Sequence, residues 1–138
     1  MSTRASNPHG TLLLVEPDNL VRSIVSSVVR ELELAQVRQA ASLAMARHML
    51  AEAPVDGLVL SLGEEPHATV DLLTQLRAGS FPSDAAIPVV VMAPAGDAAL
   101  VARLKDLDVR RLLLQPFKLR DVVHTLEQLW PASEALAA

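Results

Sequence analysis

An α/β fold is predicted by the alternation of two patterns along the chain. Five short runs, mostly apolar and bounded by Pro, Gly or polar residues, are typical of strands in a parallel sheet. After each run come apolar residues spaced three or four positions apart, which is typical of amphipathic helices. Short connections between such elements predict right-handed crossovers, with helices on both faces of the sheet. For 138 residues, a doubly wound (βα)5 domain of flavodoxin type with a five-stranded parallel sheet, order 2-1-3-4-5, fits this pattern.

The first two strand–helix pairs are read from residues 11–50. Thr11–Val15 (TLLLV) is the first strand, and Asp18 is a candidate N-cap because its carboxylate can accept from first-turn amides. Apolar residues at positions 20, 21, 24, 25, 28, 29 and 32 predict a first helix with a broad apolar stripe. Residues 34–41 are more polar, which indicates a strand at or near an edge of the sheet. Ser42 is predicted to cap a second helix, whose apolar face contains Leu43, Ala46, Met49 and Leu50.

The remaining elements continue the alternation. Residues 58–62, 87–92 and 109–114 predict the third, fourth and fifth strands, each followed closely by Gly or Pro. Helical spacing predicts a third helix ending near Gly79, a fourth starting at Asp97 and a fifth over residues 118–130, closed by Pro131. The predicted core residues of these helices are Val70, Leu72, Leu73 and Leu76, then Leu100, Leu104 and Leu107, then Leu119, Val123, Leu126 and Trp130.

Composition narrows the class of protein. Apolar residues make up 51% of the chain and charged residues 20%, which is typical of one globular domain. A net charge of −4 and only three aromatic residues argue against a nucleic-acid partner. Without Cys, the chain has no disulfide, thiolate metal site or cysteine nucleophile. No apolar stretch reaches the ~18 residues needed to span a membrane. Because the polar N-terminus also lacks a signal-peptide core, we expect a cytoplasmic protein.

The predicted carboxyl ends of the strands mark the place for a functional site, because ligands bind there in sheets of this kind. The chain places Glu16, Pro17 and Asp18, then Ser61, then Ala93, then Gln115, Pro116 and Phe117 at these ends. With these residues in view, residues 11–131 resemble the receiver domain of bacterial two-component response regulators. The segments that carry the resemblance are LLLVEPDNLVR (12–22), VDGLVLSL (55–62), IPVVVMAPAGD (87–97) and LLLQPF (112–117). Residues 1–10 and 132–138 are then expected to be a disordered and a frayed tail.

The resemblance implies a pocket for phosphorylation that is altered here at most of its positions. Receiver domains carry an acidic pair after the first strand, a phosphoacceptor aspartate after the third, Thr or Ser after the fourth and Lys-Pro after the fifth. Aligned without shifting any strand, Glu16 matches the first acid, while Pro17, Ser61, Ala93 and Gln115 replace the other residues. The resemblance therefore implies a degenerate receiver, a pseudo-receiver, whose pocket consists of Glu16, Pro17, Asp18, Ser61, Ala93 and Gln115.

These replacements set the expected chemistry of the pocket. Glu16 is the one clear oxygen ligand that remains, and Asp18 is the one residue that could assist it. We therefore expect no metal centre and weak or absent Mg²⁺ binding. Ser61 lacks the G-x-S-x-G context and a base placed by the sequence, so we expect a strand-end role rather than a nucleophile. No other cofactor is expected, because the acidic loop after the first strand would repel the phosphate of FMN. The resemblance also implies a cis peptide bond at Gln115-Pro116.

A second expected site is the surface formed by the fourth helix, fifth strand and fifth helix, which receiver domains use to bind partners or to dimerise. The residues assigned to it are Val101, Leu104, Arg110, Arg111, Leu112, Val122 and Leu129. Leu112 stands where many receivers carry an aromatic switch residue. Val101, Val122 and Leu129 lie off the predicted core stripes, so they either form an exposed apolar patch or pack beneath neighbouring loops.

The leading hypothesis is a signal-transduction module that binds a protein partner or itself without depending on aspartyl phosphorylation. It would not be an enzyme and would bind neither nucleic acid nor membrane. One alternative is a switch near Glu16, Asp18 and Ser61 that responds to a small ligand or to an unconventional phosphorylation. A serine hydrolase that uses Ser61 is the least favoured alternative, since the base and oxyanion motif are both missing from the sequence.

Overall fold

Five parallel strands form one sheet in the order β2-β1-β3-β4-β5, which confirms the predicted topology. The structure, a computed structural model, describes residues 9–63, 65–94 and 98–130. Its strands are β1 (Thr11–Val15), β2 (Gln36–Ala40), β3 (Gly57–Ser61), β4 (Val89–Pro94) and β5 (Arg111–Gln115). Its helices are α1 (Asn19–Glu31), α2 (Leu43–Glu52), α3 (Pro66–Arg77), α4 (Ala98–Asp106) and α5 (Leu119–Glu127). None of the described helices is long and apolar enough to cross a membrane.

The core lies in two layers because side chains of successive strand residues point to opposite faces of the sheet. On one face, Leu13 and Leu58 belong to a buried cluster with side chains of α2, α3 and α4. On the other face, Leu12, Leu14 and Val59 belong to a cluster with side chains of α1 and α5. The central strands are therefore buried on both faces, which explains why they are apolar at nearly every position.

Strand β2 lies at an edge of the sheet, as its polar composition predicts. The stripe predicted for α1 is wider than the face that the helix buries. Val25, Val28 and Val29 are in the core, whereas Leu20 is 69% exposed and Ile24 is 41% exposed. Leu20 and Ile24 are four residues apart and so share one side of α1, which faces away from the core, so periodicity alone overestimated the buried face.

Two predicted N-caps are confirmed. Asp18 Oδ1 accepts hydrogen bonds from the amides of Leu20 (2.9 Å) and Val21 (3.0 Å) at the start of α1. Ser42 Oγ accepts from the amide of Met45 (3.1 Å) at the start of α2. Each cap satisfies amides that the first turn of a helix leaves without a partner, which is worth about 1 kcal/mol.

The fourth strand is shifted from its predicted bounds of residues 87–92. Pro88 lacks an N–H for the strand ladder, although its carbonyl accepts from the amide of Leu58 at 3.0 Å. At the other end, β4 continues through Ala93 and Pro94, which pair with Leu114 and Gln115 of β5. Pro94 is exposed and is the last residue of β4, a position where a strand tolerates proline. Asp97, the predicted start of the fourth helix, lies outside the described residues.

Helix α5 is shorter than predicted, and of its four predicted core residues all but Leu119 are buried or pack against the core. Val122 and Leu126 of the helix and Leu129 beyond it are buried, while Leu119 is 59% exposed. Leu119 is the first residue of α5, and it belongs to neither of the two buried clusters. The expected apolar spacing of i, i+4, i+7 therefore started at a residue that lies outside the core.

Arg77, at the end of α3, joins two loops at the amino-terminal edge of the sheet. Its guanidinium donates to the carbonyls of Leu107 (2.8 Å), Ala85 (2.8 Å), Ile87 (2.7 Å) and Asp108 (3.0 Å). Burial lowers the pKa of Arg77, and the nearby Asp108 carboxylate opposes that shift. The loop before β4 and the loop before β5 are thus held to one side chain.

The same edge of the sheet holds the first and last described residues together. The rings of His9 and Trp130 stack with centroids 4.3 Å apart and an interplanar angle of 4°. Trp130 Nε1 donates to the Asp56 carbonyl (3.1 Å), and the Asp56 carboxylate accepts from the Thr11 amide (2.8 Å). His9 and Gly10, assigned to a tail from the sequence, are therefore part of the packed domain. Residues 1–8 and 131–138 lie outside the described residues.

Candidate functional site: the carboxyl edge of the sheet

The ends of β1 and β3 bring Glu16 and Ser61 into direct contact. Strand pairing places Val15 beside Leu60, so the next residue of each strand reaches the same edge. There the Ser61 hydroxyl donates a hydrogen bond to Glu16 Oε1. Sequence analysis placed both residues at this edge but did not predict that they are partners.

Glu16 is a buried carboxylate, with 5% of its surface exposed, and it is satisfied on every side. Its second carboxylate oxygen, Oε2, accepts from the amide of Asp18 at 2.9 Å. Its backbone N–H donates to the Ala40 carbonyl (3.0 Å), and its carbonyl accepts from Arg22 Nη1 (2.6 Å). A buried charge is costly unless it is paired or hydrogen-bonded, and these hydrogen bonds stabilise the Glu16 carboxylate in its position.

The rest of the loop after β1 supplies little that a cation could bind. Pro17 is exposed and carries no polar side-chain atom. One carboxylate oxygen of Asp18 already accepts from two helix amides as the cap of α1. Among the described residues, no group of three or more His, Asp or Glu side chains is arranged to hold a metal ion.

Ser61 is half-buried, and its contact with Glu16 fixes what its hydroxyl can do. A hydroxyl has one hydrogen, and here it is donated to the carboxylate, so the oxygen can only accept from a further group. Glu16 is also the base that sequence analysis did not find. A carboxylate is a weak base toward a serine hydroxyl, so this pair alone is poorly suited to generate a nucleophile.

The ends of β4 and β5 add no charge to the edge. Ala93 is 4% exposed, and its methyl group belongs to the core cluster on the α2–α4 face. Gln115 is half-buried and pairs with Pro94 across the two strands. The peptide bond from Gln115 to Pro116 is cis, as the resemblance implied. Phe117 packs against the core on the α1–α5 face.

The surface of α4, β5 and α5 differs from its expected composition. Leu104, Val122 and Leu129 are at most 2% exposed, so they belong to the core and not to an exposed patch. Their burial is explained by the packing of α4 and α5 on opposite faces of the sheet, where each covers β5.

What remains exposed around β5 forms a smaller surface. Arg110 and Arg111 are exposed, and Val101 and Leu112 are half-buried. Leu114 is 47% exposed and lies beside Val101 and Leu112, although it was not among the expected residues. We call these five residues the β5 surface.

Three solved structures show what this architecture resembles. A response regulator from Thermotoga maritima is 18% identical with a TM-score of 0.72, over 87% of this chain and 96% of that chain. A response regulator receiver protein from Pseudomonas putida is 19% identical with a TM-score of 0.73, over 87% and 97%. The chemotaxis response regulator CheY4 of Vibrio cholerae is 16% identical with a TM-score of 0.74, over 88% and 98%.

These similarities extend along nearly the whole of each chain, but at identities that establish the fold alone. No protein-family model and no curated protein matches the sequence. The strand order, the helices on both faces and the structural matches agree with one another. The chain has the fold of a response regulator receiver domain.

Proposed function

We propose that this chain is a receiver-type signalling domain that acts through protein contact and does not depend on aspartyl phosphorylation. The observation that carries the proposal is the pair formed by Ser61 and Glu16. At the position that the resemblance aligns with the phosphoacceptor aspartate of receivers, this chain has a hydroxyl that donates to a buried carboxylate. Under that alignment, the fold is kept but the group that would accept the phosphoryl is absent.

The chemistry of phosphoryl transfer supports this proposal. A phosphoryl group carries several negative charges, which Mg²⁺ and cationic side chains must neutralise during transfer. Here Pro17 offers no metal ligand, Ala93 offers no hydroxyl and Gln115 offers no positive charge. Glu16 alone is a poor Mg²⁺ site, since Mg²⁺ usually needs one or two carboxylates together with substrate phosphate. We therefore expect Mg²⁺ binding to be weak or absent.

A direct test of this proposal measures covalent modification. The purified chain is incubated with acetyl phosphate and Mg²⁺, and its intact mass is recorded. We expect an unchanged mass, in contrast to a receiver that retains its aspartate, treated in parallel as the positive control. An adduct of one phosphoryl group on this chain would overturn the proposal.

The β5 surface is the proposed contact site. It combines three partly exposed apolar side chains (Val101, Leu112 and Leu114) with two exposed arginines. It includes residues of β5, which is an edge strand of the sheet that the described residues form. Apolar side chains rimmed by charge are typical of interaction sites. The arginines favour a partner that presents carboxylates, in a second copy of the chain or in another protein.

Self-association is measured first, by light scattering, with two matched substitutions. Leu114→Glu places a charge in the β5 surface, and Leu20→Glu places the same charge on α1 at a leucine that is 69% exposed. We expect Leu114→Glu to dissociate a dimer and Leu20→Glu to leave it intact. If the chain is monomeric, the same pair is compared in affinity capture of a binding partner. Loss of binding in Leu20→Glu with retention in Leu114→Glu would assign the contact to α1 instead.

A further inference from the structure

A cleft of about 500 Å³ opens at the carboxyl edge of the sheet, among the loops that follow β1, β2 and β3. Its walls include the apolar side chains of Val15, Pro17, Leu43 and Ala68. This volume lies within the range of about 300–1,000 Å³ that is usual for small-molecule sites. In parallel sheets, ligands bind beyond the carboxyl ends of the strands, which is where this cleft lies.

Two hydroxyls give the cleft a specific polarity. The Ser61 hydroxyl donates its one hydrogen bond to Glu16, so toward the cleft Ser61 Oγ can only accept a hydrogen bond. Ser42 Oγ already accepts from the Met45 amide, and no acceptor for its own hydrogen is found among the described residues. Ser42 can therefore donate to a ligand, while Ser61 requires a ligand that donates.

The charges around the cleft exclude anionic ligands. No Lys or Arg is among the described residues that line it, and the one charged group there, Glu65, is exposed to solvent. Arg22, in the first turn of α1, donates hydrogen bonds to the Glu16 carbonyl and to Asn19 Oδ1. A phosphate or carboxylate would find no cationic side chain among the described residues that line this mostly apolar site.

We propose that this cleft binds an uncharged small molecule with an apolar body that donates an O–H or N–H to Ser61 and accepts from Ser42. The proposal goes beyond the protein contact assigned to the β5 surface, and it concerns a different part of the domain. A ligand in this cleft touches the loops after three strands and can tie their positions together. The domain would then sense a neutral metabolite at the place where other receivers sense phosphorylation.

The test uses 4-hydroxyacetophenone as the probe, because its phenol can only usefully donate to Ser61 and its ketone can only accept. The probe is titrated into the full ¹⁵N-labelled chain at about pH 6, where a phenol is neutral. We expect saturable amide shifts confined to the loops that follow β1, β2 and β3. The comparison ligand is 4-methoxyacetophenone, whose donor is blocked. We expect it to bind about two- to tenfold more weakly, as the loss of one hydrogen bond predicts.

Two kinds of variant locate the site. Gly63→Leu adds a bulky side chain at a residue that lines the cleft, and a Cβ there meets no atom within 4 Å, so the substitution starts without a clash. Ala51→Leu, on the exposed part of α2, is the matched control. We expect Gly63→Leu to abolish binding and Ala51→Leu to retain it. If Gly63→Leu fails to fold, Ala68→Leu fills the cleft from α3 instead. In Ser61→Ala we expect the preference for the phenol over its methyl ether to disappear.

Four results would overturn the proposal. They are the absence of saturable shifts at millimolar probe, equal binding to Gly63→Leu, equal affinity of the phenol and the methyl ether for the unmodified chain, and comparable shifts with inorganic phosphate. None of these results bears on the phosphoryl adduct or on the β5 surface. The ligand site and the proposed contact function are therefore tested by separate measurements.

Discussion

Replacing Ser61 by Asp places a carboxylate where a hydroxyl now contacts Glu16, and it should destabilise this domain. The change removes the hydroxyl that donates to Glu16 and places a second carboxylate beside a buried one. Two unit charges about 4 Å apart repel by about 4 kcal/mol at an effective dielectric constant of 20. Because Ser61 is only half-buried, solvent screening reduces that figure, and we expect a loss of about 2–3 kcal/mol at neutral pH.

The pH dependence of this loss identifies its cause. In Ser61→Asp the two carboxylates titrate as a coupled pair, and one of their pKa values is raised in the folded state. The folded protein then binds more protons than the unfolded chain, so the stability of the variant falls as pH rises through that raised pKa. At acidic pH, where the pair binds a proton in the folded state, the repulsion is removed and the deficit relative to the unmodified chain should become smaller.

Urea unfolding followed by circular dichroism measures the deficit at several pH values. Ser61→Asn is the control, since it has nearly the same shape and no charge, and its deficit should not grow as pH rises. We further expect millimolar Mg²⁺ to stabilise Ser61→Asp, whose paired carboxylates can share a cation, and not the unmodified chain. A Ser61→Asp variant as stable as the unmodified chain at pH 7 without metal would refute the reasoning about this pair.

Three further substitutions test other parts of the fold by chemical denaturation. Arg77→Met should cost about 2–3 kcal/mol, because four carbonyls lose a charged donor, and Arg77→Lys should recover only part of it. Gly10→Ala should cost about 2 kcal/mol, because φ is +81° there and a Cβ would lie 2.1 Å from the Asp56 carboxylate. Asp18→Ala should cost about 1 kcal/mol through loss of the α1 cap, whereas Asp18→Asn should be nearly neutral. Equal stability of Arg77→Met and Arg77→Lys, or of Asp18→Ala and Asp18→Asn, would contradict the expectation for that residue. A Gly10→Ala variant as stable as the unmodified chain would contradict the expectation for Gly10.

The fold was predictable because most of its strands are visible in the local sequence as short apolar runs. The run Thr11–Val15 is apolar after its first residue and matches β1 at both ends. The bounds of β4 were not predictable, because a proline is a breaker only when its missing N–H is needed. Pro94 is at an exposed strand end, where the ladder needs no donor from it.

Side-chain faces were harder to predict than elements. Helical spacing reveals that α5 has an apolar stripe but not which of its residues reach the core, so exposed Leu119 was assigned to the core. Leu114 posed the opposite problem: it continues an apolar run that is typical of a fully buried strand. It is exposed because β5 is an edge strand, which the local sequence does not show.

The composition of the functional edge was predictable, but its contacts were not. Topology alone places Glu16 and Ser61 at the carboxyl ends of strands, and the structure makes those strands neighbours. The hydrogen bond between them joins residues 45 positions apart and depends on side-chain rotamers. A polar residue at the end of each of two adjacent buried strands is the signal that a pairing should be considered. The cleft beside them left no such signal, because its volume depends on the paths of three loops.

The stacking of His9 on Trp130 brings the first and last described residues together, so residues 9–130 begin and end at one place. Joining those two positions through a short peptide should therefore demand little rearrangement, and a circular permutant could open instead at Gly79–Ser80, beyond α3. Its new ends would lie near the amino-terminal edge, away from both the cleft and the carboxyl ends of the strands. Reporter groups or neighbouring domains attached there would leave the opposite edge free to bind.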